Sequence, residues 1–312
     1  MKIGTTLIGL ENILKQESNG KIICLGRVLF SKNKNLKSAT ICYDYIKHFK
    51  FKDEKEIYDN ISKIKPKFKG SFRVDCSREG KHNFGSQEIR ERVGEIIYNE
   101  GHKVDLNYPK NIFYVDIIND FCLFGKNPVN VGKRNYRVRS SKDSLNAALA
   151  FSLLKAGNFK KNNVLLDPFC SDGIILIEAA LLGGKKLYGL SNDIKNASIN
   201  AKVAKVKLNL YNKDLNWLDT LFKKGSVDLI VTKPLFPSKT KSLNFVDKIT
   251  RELFHQAAYI LKKKGKIILL IPKLELIEKY AKIYNFDIKE ELNIKFGDLN
   301  YKVLNLKKQS FK

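Results

Sequence analysis

Residues 163–182, NVLLDPFCSDGIILIEAALL, hold the residue types that a ligand loop needs. The apolar run Val164-Leu165-Leu166 ends in Asp167-Pro168, a compact turn covers 169–173, and an apolar helical run spans 174–182. Strand, tight glycine turn and helix is how an α/β sheet presents backbone N–H groups to a ligand at the carboxyl ends of its strands. A carboxylate at the strand end, Asp167, and an acid one turn into the helix, Glu178, make the pattern more specific than a bare glycine loop. A second candidate loop, 77–85, is basic, with Arg78, Lys81 and His82 around Gly80.

The elements around these loops belong to a chain of 312 residues, long enough for two domains or three small ones. Its 43% apolar and 11% aromatic content is that of a globular protein. No apolar run reaches the ~18 residues needed to cross a bilayer, and Glu11, Asn12 and Lys15 interrupt the N-terminus, so a soluble, cytoplasmic protein with no membrane partner is expected. Five dispersed cysteines without C-x-x-C spacing and four histidines argue for reduced thiols and no metal. Charge is the strongest compositional signal: 58 Lys+Arg against 32 Asp+Glu gives +26, spread over both halves. Such a field suits a polyanion and points to nucleic acid; the alternative is a solvated lysine-rich surface.

Residues 1–50 read as strand, helix, strand, with a strand over 5–10, a helix over 11–16, a strand over 26–30 and a second helix over 38–49. The lysine-rich segment 50–70 reads as a connection. Residues 71–76 alternate as a half-buried strand should, Ser86 is a plausible N-cap for a helix over 87–100, and strands follow at 112–118 and 121–124. The polar stretch 126–144 contains Tyr136-Arg137-Val138-Arg139, a candidate linker strand whose arginines either touch a phosphate backbone or are solvated.

Phe72-Arg73-Val74, Lys81-His82-Asn83-Phe84-Gly85-Ser86 and Lys103-Val104-Asp105-Leu106 resemble the motifs of a THUMP domain, an RNA-binding module of tRNA-modifying enzymes. The opening TTLIGLENILKQE and GRVLF resemble the ferredoxin-like segment that precedes it. The resemblance implies RNA contact by Arg73, Arg78, Lys81 and His82, with Arg137 and Arg139 as further candidates in the linker.

From residue 163 strands alternate with helices. Strands are expected at 164–167, 186–190, 207–210, 227–232, 266–271, 286–290 or 292–296, and 301–306. Helices are expected at 174–182, 192–204, 215–222, 243–261 and 273–284. The alternation predicts a parallel sheet covered on both faces, closed by a terminal antiparallel hairpin turning at Gly297-Asp298-Leu299-Asn300. This ending resembles the Rossmann-like fold of S-adenosylmethionine-dependent methyltransferases. The expected architecture is therefore α/β, with a ferredoxin-like segment (1–50), a THUMP α+β domain (51–130), a linker (131–144) and a Rossmann-like methyltransferase domain (145–312).

Taken whole, the chain resembles the THUMP-containing tRNA guanine-N2 methyltransferases, whose cofactor turn reads D-P-x-C-G-S-G-T-I-L-I-E-A. Here the turn is Asp167-Pro168-Phe169-Cys170-Ser171-Asp172-Gly173, followed by Ile174 and, at the family's acid, Glu178. The resemblance implies S-adenosylmethionine held by Asp167, Cys170 and Gly173, with Asp193 near the ribose and Asp214 on the adenine side. Read as residues alone, Asp193 is a helix N-terminal acid favoured by the dipole, and Asp214 has a surface-loop aspartate as its alternative. The catalytic motif N-P-P-Y/F of the family falls on Lys233-Pro234-Leu235-Phe236, which implies catalytic roles for Lys233, Pro234 and Phe236. In the family the Asn oxygen and a backbone carbonyl accept the hydrogens of the guanine amine, while the aromatic ring stacks on the base.

Four positions depart from that pattern. Ser171 brings a Cβ where glycine lets backbone approach, Asp172 brings a negative charge, Ser191 replaces an acid after the second strand, and Lys233 has no acceptor when protonated. Two functions follow: a tRNA-binding enzyme that methylates guanosine N2, or a catalytically silent relative that binds RNA as scaffold or as protein partner of an active enzyme.

Overall fold

The computed structural model describes residues 1–31, 35–141, 144–296 and 299–309, which form two compact units. The first comprises Met1–Thr6 and Leu14–Val131, the second Leu7–Ile13 and Gly132–Lys312.

In chain order the first half contains β1 (Lys2–Thr5), α1 (Glu11–Ser18), β2 (Lys21–Cys24), β3 (Arg27–Phe30), β4 (Ile41–Lys50), α2 (Glu54–Ser62), β5 (Phe72–Glu79), α3 (Ser86–Asn99), β6 (Asn111–Ile118) and β7 (Phe121–Asn130). Its strands make one sheet in the order β2-β3-β1-β4-β7-β6-β5. The long β4–β7 ladder, from Ile41 opposite Asn130 to Lys50 opposite Phe121, joins β1–β4 and β5–β7 in a single sheet.

Three expectations are corrected here. The helix expected over 38–49 is β4: its aromatic and β-branched residues fit a pleated surface, and Tyr43 is fully buried in the sheet core. The connection at 50–70 contains α2, whose Asp53 side chain accepts from Glu56 N at 2.9 Å and whose Ile57 and Ile61, one turn apart, are buried. The strand expected at 5–10 is shifted to β1; residues 7–13 instead join the second unit, where Lys295 N donates to Ile8 O at 3.2 Å. Gly9 has φ +97° there, and a Cβ would overlap the Asn293 carbonyl oxygen. At α3, Gly85 holds the cap position and Ser86 opens the helix.

The second unit contains α4 (Ala147–Ala156), β8 (Val164–Asp167), α5 (Ile174–Leu181), β9 (Lys186–Leu190), α6 (Lys195–Val203), β10 (Asn209–Tyr211), a 3₁₀ turn (Leu215–Trp217), α7 (Leu218–Leu221), β11 (Val227–Thr232), α8 (Leu243–Ile260), β12 (Leu261–Ile271), α9 (Glu275–Ile283), β13 (Phe286–Phe296) and β14 (Leu299–Lys308). The sheet order is β10-β9-β8-β11-β12-β14-β13, parallel except for β14. This is the Rossmann-like architecture with a terminal antiparallel hairpin, whose turn residues Gly297 and Asp298 lie outside the described residues. The two strand alternatives at 286–296 merge into one strand with an irregularity between Ile288 and Glu290.

Apolar cores cover both sheet faces because successive residues of a strand point to opposite sides. Val231 and Ile268 pack with Leu153, Leu176 and Ile177, whereas Ile230 and Ile267 pack with Leu253, Phe254 and Ala257. Each fully buried side chain of this size contributes roughly 1.5–3 kcal/mol. The strand order reverses between β8 and β11, which opens a crevice at their carboxyl ends. No helix among the described residues is long and apolar enough to cross a membrane.

Candidate functional site

The crevice is an open cleft of about 890 Å³, within the range of small-molecule sites. Its floor is the turn after β8. Cys170 N donates to Leu190 O at 3.0 Å, Gly173 N to Cys170 O at 2.7 Å, and Ser171 and Gly173 both take left-handed backbone, with φ +47° and +78°. A Cβ on Gly173 would come within 3.0 Å of the Ala197 Cβ on α6, so this glycine is needed for packing as well as conformation. Gly173 is not among the residues that line the cleft, whereas Asp167, Cys170, Asp193 and Asp214 are. The Cys170 thiol is buried against Gly189 of β9, and burial pushes it well above the ordinary thiol range.

Asp167 is 2% exposed and bridges the two strands of the switch point: Thr232 Oγ1 donates to its Oδ1 at 2.6 Å and Phe169 N at 3.2 Å. Burial pushes this carboxyl up to about 7, the Thr232 and Phe169 donors pulling the other way. Asp193 is exposed and accepts from Lys195 N at 2.8 Å, a turn that opens α6. Asp214 is exposed at the cap of the 3₁₀ turn, next to Lys213, whose Nζ lies 3.9 Å from the centre of the Trp217 ring.

The segment that enters the second unit ties down this turn. Ser141 Oγ lies 2.6 Å from Ser171 Oγ, and Ser144 Oγ donates to Asp172. Arg137 donates to Ser144 Oγ at 2.6 Å and stands 3.8 Å from the Asp172 carboxylate. Asn200 Nδ2 donates to the Asp172 and Arg139 carbonyls at 3.0 and 2.8 Å, and Arg139 N donates back to Asn200 Oδ1 at 3.0 Å. Behind the turn, Glu178 is wholly buried and accepts from Arg134 Nε at 2.8 Å and Tyr136 Oη at 2.7 Å. The strand expected at 136–139 is absent: Arg137 N donates to Arg134 O and Val138 N to Tyr136 O within the segment, and Arg139 N donates to Asn200 of α6. Burial raises the Asp172 carboxyl, with Ser144 and Arg137 opposing.

Lys233, Pro234 and Phe236 all line the cleft where the chain leaves β11. Lys233 is half-buried and also lines a small adjoining cavity with Asn146 and Tyr301. Phe236 is half-buried, packed at the edge of the Phe254 core. Phe245, at 46% exposure in the first turn of α8, and Tyr301 of β14 also line the cleft. Sequence reasoning missed both; an exposed aromatic two residues into a helix capped by Ser242 was the available signal for Phe245.

The RNA candidates divide between the units. In the first, Arg73 pairs with Asp75 along β5 at 3.1 and 3.2 Å. His82 Nε2 lies 2.7 Å from Asn119 O and so donates to it, leaving Nδ1 to accept from Arg78 at 3.1 Å. That imidazole stacks on Phe84 at 4.9 Å, and Lys81 beside it is exposed. In the second unit Arg137 is turned onto Ser144 and Asp172 as described, while Arg139 remains exposed.

Comparison with known proteins fits this geometry. The model of the UPF0020 family, an RMKL-like methyltransferase domain, matches residues 134–302, and that of the THUMP domain matches 51–125. The tRNA (guanine(6)-N2)-methyltransferase of Methanocaldococcus jannaschii is 28% identical over 289 residues, covering 76% of this chain and 75% of that one. The tRNA (guanine(10)-N2)-dimethyltransferase of the same organism is 27% identical, covering 83% and 79%. Among solved structures, TrmN from Thermus thermophilus superposes with a TM-score of 0.80 at 22% identity over 99% of both chains. SMU.472, complexed with SAH, superposes at 0.77 and 16% identity over 100% and 98%. At these identities the two structures speak for the fold.

Proposed function

The chain belongs to the RMKL-like methyltransferase family and carries a THUMP domain, and on that premise we propose that it binds tRNA and methylates the exocyclic N2 of one guanosine. The observation that carries the reading is the cleft itself, where the left-handed turn 170–173 and the Lys233–Phe236 segment meet at the switch point. In this reading 1–50 and 51–130 form the RNA-grasping part, 131–144 the linker and 145–312 the methyl-transferring domain, acting in the cytoplasm.

The turn fits S-adenosylmethionine. Asp172, 1% exposed, has its carboxylate engaged by Ser144 and Arg137, so its charge does not stand bare beside a ligand. Ser171 supplies the left-handed conformation for which glycine is usual, with its hydroxyl held by Ser141. The backbone of 169–173 would hold the methionine part, and Asp193 and Asp214 the nucleoside part. When bound, the cofactor supplies an electrophilic methyl group on a sulfonium. The chain's own task is positioning. Phe236 gives the base a stacking face, and backbone carbonyls next to Pro234 accept the amine hydrogens, since a lysine side chain when protonated only donates. A guanine in a duplex reaches such a cleft only when extruded.

Lys233, in place of the family's Asn, favours one second reading: a silent methyltransferase fold that binds tRNA as scaffold, with a protein partner doing the chemistry. Methyl transfer to a tRNA transcript, mapped by mass spectrometry, separates the two. N2-methylguanosine supports the enzyme, and tRNA binding without transfer supports the scaffold.

A further inference from the structure

Charge in the second unit is segregated along the strands. The cleft occupies their carboxyl ends. At the other end, where the parallel strands begin, Lys160, Lys185, Lys205, Lys223, Lys262 and Lys307 are exposed, and each is followed by another lysine within two positions. They stand in the loops entering β8, β9, β10 and β11, at the start of β12 and at the end of β14.

Strand order sets these loops side by side, and register fixes two points along them. Lys186 is opposite Val164, and Lys266 is opposite Lys307. Asp228 ties the centre, accepting from Val164 N at 2.8 Å and from Lys262 Nζ at 2.7 Å. At this end Asp228 and Asp287 are paired with Lys262, itself one of these lysines, and with Lys289. The last turns of α4, α6 and α9 have their own cations, Lys155, Lys202 and Lys282; those of α5, α7 and α8 have none, but Lys185, Lys223 and Lys262 stand beyond their ends, where the dipole effect falls off.

Strands spaced ~4.8 Å apart make a row of six strand ends roughly 24 Å long, enough to lie along several phosphates. Lysine contacts phosphate as a point charge and reads no base. A bilayer would call for a contiguous apolar face beside the charges, whereas the exposed apolar residues Leu181, Val203, Tyr259 and Ile283 stand one at each of four helix ends. We propose that this end is a second phosphate-binding surface that holds RNA backbone away from the base in the cleft, separated from it by the ~20 Å length of a six-residue strand such as β11. The proposal rests on the RNA-binding reading above.

The test uses the full chain carrying K185Q, K186Q, K223Q and K224Q, and a tRNA transcript titrated by fluorescence anisotropy across a KCl series. The expected result is weaker binding, with the slope of log K against log salt shallower by about 0.7–0.9 for each phosphate that the variant no longer neutralises. The four Lys→Arg substitutions should keep the wild-type slope, and S-adenosylhomocysteine affinity, read by calorimetry, should be unchanged in both. An unchanged slope and affinity in a folded Gln variant would overturn the surface alone. A wild-type chain that binds no tRNA would overturn the RNA reading with it. Co-sedimentation with phosphatidylserine vesicles that the Gln variant loses, at unchanged tRNA affinity, would assign the row to a membrane and overturn the proposal.

Discussion

Thr232 Oγ1 donates to Asp167 Oδ1 at 2.6 Å, joining the last residues of the two strands between which the sheet reverses direction. The bond fixes the distance between the cofactor turn and the Lys233–Phe236 segment, and it satisfies a carboxyl that is almost fully buried. Replacing Thr232 with Val should destabilise the second unit by about 1–3 kcal/mol, the cost of leaving a buried acceptor short of a donor. Urea denaturation monitored through the single tryptophan, Trp217, measures it.

The same carboxyl gives a pH signature. Its pKa is raised by burial to about 7 in the folded chain, against an unfolded value of ~3.9, so the native state binds the extra proton between these values. From Asp167 alone, stability is greatest at low pH, declines as pH rises from about 4 to about 7, and levels off above. Asp167→Asn should flatten that slope in melts taken across the window.

Arg27 and Asp116 set the opposite dependence in the first unit. Asp116 is fully buried and would be pushed up by burial, but the Arg27 guanidinium, at 2.6 and 2.7 Å, with Ser77 and Tyr43, holds it below the usual carboxylate range. A lowered carboxyl stabilises above its unfolded pKa and loses that contribution as pH falls through the folded value. Arg27→Met leaves the charge unpaired and should cost about 3–5 kcal/mol at neutral pH, measured by urea denaturation. Far less loss would show that water reaches the site.

The entering segment should act on ligand affinity through Asp172. Ser144→Ala and Asp172→Asn should each weaken S-adenosylhomocysteine binding several-fold by calorimetry. Arg137→Gln combined with Asp172→Asn should cost less than the sum of the two, because both lie in one network. Strict additivity would place Arg137 outside the network.

Much of this fold was legible in the sequence, for reasons that differ by element. β8, β9 and β11 occur at the residues expected, since buried parallel strands are short apolar runs with sharp ends. The sequence of β4, ICYDYIKHFK, satisfies helical and alternating spacing alike, and only pairing with β1 and β7 decides between them. α2 lay hidden among lysines, its apolar signal reduced to a few positions such as Ile57 and Ile61. In the site, the turn and the Lys233–Phe236 segment followed from motif order. The partners of Ser171 and Asp172 did not, because Ser141, Ser144 and Arg137 lie roughly thirty residues upstream, where no local pattern marks them as partners.

Methyl transfer at the Lys233–Phe236 cleft has one decisive readout. Incubating the full chain with S-adenosylmethionine and tRNA transcripts, followed by nucleoside mass spectrometry, should give N2-methylguanosine, with Phe236→Ala reducing the rate at least ten-fold and Lys233→Asn preserving or raising it. tRNA binding with no methylated nucleoside from either the wild-type chain or Lys233→Asn, and no calorimetric signal for S-adenosylhomocysteine, would contradict it.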